Sequence, residues 1–325
     1  MAPVPFRTRD RLVTRVYRAS EEEFGVLPPP LVLHASSPEV LAAVWLILRE
    51  SLLTPGLVGR VEKETVAAMI SAANSCPYCV TMHTSMLRSL GRADGSGAVA
   101  AWCEVNMVRG PGPQGAGPAA RTPPFPPEHG PELVAMAVLL HYLNRMVNIF
   151  LGDRPLPPWA PAATLPAVQP VLNWLQRAAG RDDLPPGLSL DLLPAAEPAP
   201  DLVWSAGKPP VTEAFARAVA AVENAGERSL PASVRALVRE RLRVWDGRPP
   251  GLSRAWVDTE TERLAPSDRP AGRLALLTAI ASYQVDDEAV RAFRNHNPED
   301  ARLVEATAWA ALCAAREAGA WMAVR

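Results

Sequence analysis

The chain has 325 residues, 48% of them apolar and 21% charged, enough for at least one full hydrophobic core and about two domains at ~150 residues each. Lys plus Arg number 33 against 34 Asp plus Glu, a net charge of −1 that excludes the one-signed field required by nucleic-acid binding or a polybasic membrane patch. Four cysteines do not make a disulfide framework in a chain of this length, so a close pair is read first as redox or metal chemistry.

Met1 is followed by Pro3, Pro5 and charged residues rather than by an apolar leader core. The longest apolar run, 40–48, is far short of the ~20 residues a bilayer span needs, and Arg49 and Glu50 end it. A cytoplasmic protein with no membrane and no nucleic-acid partner is expected. Residues 1–35 read as an N-terminal arm. Then 38–53 places Leu41, Val44, Trp45, Ile47, Leu48 and Leu52 on one broad helical face, with Ser37 as N-cap ahead of Pro38 at the first helical position. A second helix is predicted over 60–74, and a third over 77–90, closed by Gly91 at C′. Between 109 and 130 the Pro/Gly-rich sequence predicts an exposed loop. Further helical patterns occupy 98–108, 132–150, 167–179, 213–225, 232–244, 273–281 and 298–318. No alternating strand of useful length occurs, so the fold class is all-α. Lysine appears only at Lys63 and Lys208; the remaining basic residues are scattered arginines, which read as coding bias.

Sliding the chain by 173 positions lays 57–61 on 230–234, and an offset of 141 lays 133–142 on 274–283, which suggests a doubled helical unit. Glu64, Cys76, Cys79 and His83 then fall opposite Leu237, Pro249, Leu252 and Trp256, so the second copy lacks the polar set. The expected division is an arm at 1–35, a redox domain at 36–153, a Pro-rich linker with a short helix at 154–205, and a degenerate second helical domain at 206–325.

The informative segment is Glu64-x11-Cys76-Pro77-Tyr78-Cys79-x3-His83. Pro77 suits a first helical turn, which sets Cys76 at the helix start, where free N–H groups and the macrodipole favour a thiolate. Cys79 follows one turn later, in register for a reversible disulfide. His83, four residues beyond Cys79, shares its face and is placed to accept a thiol proton, and Glu64 on the preceding helix is placed to orient the imidazole if the chain folds back. Three other readings stand beside this one: a glutaredoxin-like motif, which needs strands around it; a zinc site on Cys76, Cys79 and His83, which lacks a second ligand pair; and two packed cysteines with a core histidine. Cys103 and Cys313 sit on apolar helical patterns as packing residues, and His141, Arg145 and Asn148 are assigned structural roles. Trp45, Trp102, Trp174 and Trp309 read as core fillers, while His34, His129 and His296 lie in loop-like sequence.

The stretch ETVAAMISAANSCPYCVTMH resembles the redox signature of the alkylhydroperoxidase D-like, carboxymuconolactone decarboxylase superfamily, and HYLNRMVN from His141 resembles a later helix of its longer members. The resemblance covers about 38–151 and weakens beyond 202. It implies an all-helical fold and thiol-dependent reduction of hydroperoxides; with the internal repeat, the expected architecture is a helical bundle of that type in two tandem lobes, and no cofactor or metal is expected. By motif position it implies Cys79 as peroxidatic thiolate, Cys76 as resolving thiol, His83 as base and Glu64 as its relay partner. A hydroperoxide substrate, a dithiol protein or small thiol as reductant, and a homo-oligomer are the expected partners. Tyr78 departs from members that carry His between the cysteines. The alternatives are a non-redox decarboxylase-like enzyme and a redox-sensing or scaffold protein without turnover.

Overall fold

The computed structural model describes residues 10–91, 97–109, 121–155, 164 and 184–323. Among the described residues every regular element is a helix and none is a strand. The chain opens with α1 (Arg11–Phe24), a helix where only an arm was expected. The Asp10 carboxylate accepts from the Leu12 and Val13 amides to start it, and Gly25, at φ 78°, ends it in the left-handed region. Its stripe of Val13, Val16, Tyr17 and Phe24 is buried, and the helix packs on α3. One short turn, α2 (Pro29–Val32), separates it from α3 (Pro38–Leu48), which is buried along most of its length.

Ser37 holds the N-cap position of α3, but its hydroxyl donates to Glu305 Oε1 at 3.2 Å instead of closing the helix. Arg49 and Glu50, expected to end the apolar run at a polar edge, are buried in a π-helical turn, Arg49–Leu53. Burial is tolerated because the guanidinium is used on every side: it donates to Glu23 and to Glu50, each at 2.6 Å, and to the Pro185 carbonyl at 2.9 Å.

Helices α4 (Arg60–Ala73) and α5 (Pro77–Ser89) fold back on each other through a three-residue link, and α6 (Ala98–Asn106) packs on α4. Gly91 takes φ 80° just beyond α5, as its C′ place predicts. The long α7 (Gly130–Phe150) runs through the centre. By length and composition this helix is apolar enough to cross a membrane, a property the run-length reading of 40–48 passed over; 83% of its apolar window is buried inside the protein. The second half supplies α8 (Pro209–Ser229), α9 (Ala232–Val244), α10 (Ala255–Thr261), α11 (Arg269–Ala281), α12 (Asp287–Arg294) and α13 (Asp300–Met322). Two of them, α8 and α11, begin earlier than predicted because Pro209, Pro210 and Pro270 stand in their first turns, where proline is tolerated. The predicted helix 167–179 lies outside the described residues, as does 110–120 of the predicted loop.

Helix α13 lies closely against α7: a Cβ on Gly319 would come within 2.3 Å of Val138 Cγ2, so glycine lets the two backbones approach. Helix α8 packs on both α3 and α13. The result is one hydrophobic cluster running from Val13 to Met322, which includes Leu192, Leu202 and Trp204 from the expected linker. Trp45, Trp102 and Trp309 sit inside it; Trp174 lies outside the described residues.

Candidate active site

The link between α4 and α5 sets the geometry. Ser75 takes φ 50°, rare for a residue with a side chain, and the Cys76 amide bonds back to the Ser71 carbonyl at 3.0 Å. This reversal puts Cys76 at the N-cap of α5, with Pro77 at the first helical position, where its missing N–H costs nothing. The Sγ atoms of Cys76 and Cys79 lie 2.8 Å apart as free thiols. Both are buried, at 1% and 5% exposure, in a small cluster with Tyr78 and Val147.

The hairpin also brings Glu64 to His83, as the sequence spacing anticipates. His83 Nδ1 donates to Glu64 Oε2 at 2.7 Å, an assignment made from the carboxylate partner; in the neutral ring this tautomer leaves the lone pair on Nε2. The other carboxylate oxygen accepts from Arg60 Nε at 2.7 Å, an interaction the sequence reading did not include. Burial by itself drives the Glu64 carboxyl upward, but the charges and hydrogen bonds of Arg60 and His83 outweigh it and hold the group below the usual carboxylate range. The i,i+4 spacing of Arg60 and Glu64 was the available signal for this contact.

The two thiols are unequal. A hydrogen bond from Cys79 pulls the Cys76 thiol below its ordinary value against the cost of burial, aided by the Cys79 backbone N–H at the helix start and by the Asn144 amide. Burial pushes the Cys79 thiol well up, and a thiolate on Cys76 pushes it further. Of the two, Cys76, the residue expected to resolve, therefore gives up its proton the more readily, and Cys79 donates to its charged form.

Asn144 was also missed, because nothing in sequence distance links α7 to the cysteines. Its Nδ2 donates to Ser71 Oγ at 3.1 Å and its Oδ1 accepts from Asn74 Nδ2 at 3.0 Å. Asn74 is the hub of the turn: its Oδ1 accepts from Arg145 Nη1 at 3.1 Å, and its carbonyl accepts from Asn148 Nδ2 at 3.1 Å. Arg145 also donates to the carbonyls of Ala279 and His141, and burial draws its guanidinium down to about 9. His141 is buried beside it, and burial lowers its imidazole well below the ordinary value, so it is neutral. These α7 side chains clamp the turn that presents Cys76, which for His141, Arg145 and Asn148 is the structural role expected from the sequence.

An apolar cavity of about 240 Å³ opens beside the pair, and Tyr78, Cys79, Met82 and His83 form one wall. Cys76 does not line it. The imidazole and one sulfur thus share a chamber while the second sulfur stands behind. Cys103 and Cys313 lie apart from it, and burial raises each thiol to about 12. His34, read as a loop residue, is buried with its ring stacked on Tyr142 at 5.6 Å.

The chain has relatives among known proteins. A family model described as carboxymuconolactone decarboxylase family matches residues 38–104, from the start of α3 through α6, which contains all four motif residues. A Mycobacterium tuberculosis (strain ATCC 25618 / H37Rv) protein named alkyl hydroperoxide reductase Rv2159c is 35% identical over 333 aligned positions, covering 98% of this chain and 93% of that protein. The likeness therefore extends through both halves, and the chain belongs to the carboxymuconolactone decarboxylase family.

Proposed function

We propose that the protein is a thiol-dependent peroxidase that reduces organic hydroperoxides at Cys79 and is regenerated by an external dithiol. The observation that carries this reading is one cavity walled by a member of each pair: His83, hydrogen-bonded to Glu64 at 2.7 Å, and Cys79, whose sulfur lies 2.8 Å from that of Cys76. The name of the similar M. tuberculosis protein supports the same substrate class.

In the reaction, His83 Nε2 accepts the Cys79 proton as Cys79 Sγ attacks the terminal peroxide oxygen. An S–O bond forms, the O–O bond breaks, and the leaving alkoxide takes the proton from the imidazolium to depart as an alcohol. Glu64 holds the imidazole in the required tautomer, and Arg60 keeps that carboxylate ionised. The Cys76 thiolate then attacks the Cys79 sulfenic acid; the S–S bond forms, the S–O bond breaks, and the departing hydroxide takes up one proton from solvent to leave as water. Two exchange steps with a dithiol restore both thiols and leave the donor oxidised. Attack by the donor falls on Cys79, the sulfur that lines the cavity, and expels Cys76, the better-stabilised thiolate and hence the better leaving group.

The test is multiple turnover of cumene hydroperoxide with excess dithiothreitol, followed as alcohol formed per protein. Many equivalents are expected from the wild type and none above background from Cys79→Ser. A single equivalent, with the protein left as the disulfide under reducing conditions, would favour a redox sensor instead.

A further inference from the structure

The remaining walls of the cavity are supplied by segments that flank the family-matched region. Phe24, Val26, Leu27 and Pro28–Pro30 come from the passage between α1 and α3, ahead of residue 38. Leu143 and Val147 come from α7, beyond residue 104. Leu140 and Pro155 also line the cavity from beyond residue 104, and within the matched region Leu48 and Leu52 contribute, Leu52 from the π-helical turn. A π turn re-aims the residues it contains, and three successive prolines hold their backbone with little freedom to lose on binding. The chamber therefore has polar chemistry at one end, where Cys79 and His83 stand, and hydrocarbon over most of its remaining wall.

Resting on the peroxidase reading, we infer that the chamber selects hydroperoxides carrying an apolar group of about six to eight carbons, and that the 24–30 segment sets this preference. The volume of about 240 Å³ is about eight times the ~30 Å³ that a water molecule occupies in the liquid, and a methylene group is of similar size. Hydrogen peroxide leaves most of that space unfilled and finds few polar partners along the aliphatic walls. An alkyl chain pointed away from Cys79 gains roughly fourfold in binding for each methylene it buries.

The experiment is a series of n-alkyl hydroperoxides from two to twelve carbons, with hydrogen peroxide as reference, at saturating dithiothreitol. The value of kcat/KM is expected to rise severalfold per carbon and to level off at six to eight. Leu27→Trp, which fills the chamber, is expected to reduce the octyl-to-hydrogen-peroxide ratio of kcat/KM by at least tenfold; Leu27→Ala is expected to move the plateau to longer chains. A profile flat in chain length, or a Leu27→Trp variant altered only in its KM for the reductant, overturns the inference while the peroxidase reading stands. A second measurement is independent of turnover: 1-octanol is expected to slow alkylation of Cys79 by N-ethylmaleimide, and ethanol at equal concentration is not. Octanol protection in a protein that consumes no hydroperoxide would retain the apolar chamber and remove the peroxidase reading. Failure of octanol to protect would remove the chamber.

Discussion

Cys76 and Cys79 share a helix start but not an environment. The former accepts hydrogen bonds from Cys79 and Asn144, and the latter is dried by burial and faces the cavity. Absorbance at 240 nm against pH is expected to show one thiolate per pair appearing below the ordinary thiol value of ~8.5, and the second only far into the alkaline range. In Cys79→Ala the remaining Cys76 loses its strongest donor, so its titration moves upward; an unchanged midpoint would show that the Cys79 contact does not stabilise the charge. The relay is open to a similar test. Glu64→Gln retains shape but removes the charge, and kcat/KM for hydroperoxide is expected to fall by about 10²-fold, the scale of general acid–base assistance. Arg60→Ala, which leaves the Glu64–His83 bond in place, is expected to cost less. Equal losses in the two variants would mean that Arg60, and not the carboxylate itself, holds the imidazole. The four motif residues were legible because their spacing follows helical geometry. Asn74, Asn144 and Arg145 became functional neighbours only through the packing of α7 on α4, which no local pattern encodes.

At the level of elements, the apolar-rich helices were legible, while two strongly amphipathic helices rich in charged residues were not. Helices α3, α4 and α5 carry dense apolar periodicity with Pro or Gly at their ends, and their predicted cores match the structure. The α1 helix was passed over although its signal was present: Asp10 caps it, Gly25 ends it, and Val13, Val16, Tyr17 and Phe24 fall at helical spacing with the charged residues on the opposite face. Likewise α12 is short and polar, though Asp286 accepts from the Ala289 amide at 2.9 Å in a recognisable N-cap. What sequence could not reveal at all is the tension in the 74–76 link, where Ser75 is held at positive φ by its surroundings. Asn74 joins that link to α7 through four side chains and to α4 through its own backbone, so Asn74→Ala strips acceptors from a buried guanidinium as well as bonds from the turn. A loss of roughly 1–3 kcal/mol is expected in urea denaturation. Because the turn places Cys76, the variant is also expected to form its disulfide more slowly after a pulse of peroxide. A variant that is less stable but oxidises at the wild-type rate would reduce Asn74 to a stability role.

Across the whole molecule, the chain's only two lysines converge on one carboxylate, Glu132 at the start of α7. Lys208, ahead of α8, contacts Glu132 Oε1 at 2.5 Å, and the buried Lys63 of α4 lies 3.8 Å from Oε2. The same carboxylate accepts the Leu57 and Val58 amides at 2.9 and 3.1 Å, and a Cβ on Gly56 would strike it. One side chain thus ties the entrance of α4, the start of α7 and the start of α8, joining the segment that carries Glu64 to the second half of the chain. An ammonium suits this place better than a guanidinium because it is a compact point charge with no planar fork to accommodate. Burial raises the Glu132 carboxyl, but Lys208, the two amides and Lys63 outweigh it and hold it below the ordinary range. A carboxyl whose folded value lies below its unfolded value of ~4.3 contributes fully above that pH and loses its contribution as pH falls through the folded value. Glu132→Gln is therefore expected to be less stable than the wild type by ~3–5 kcal/mol at pH 7, since it leaves a buried ammonium uncompensated. The gap in unfolding free energy should narrow steadily as the pH is lowered from 5 to 3. A gap independent of pH would show that shape and amide contacts at this junction, and not the carboxylate charge, join the two halves.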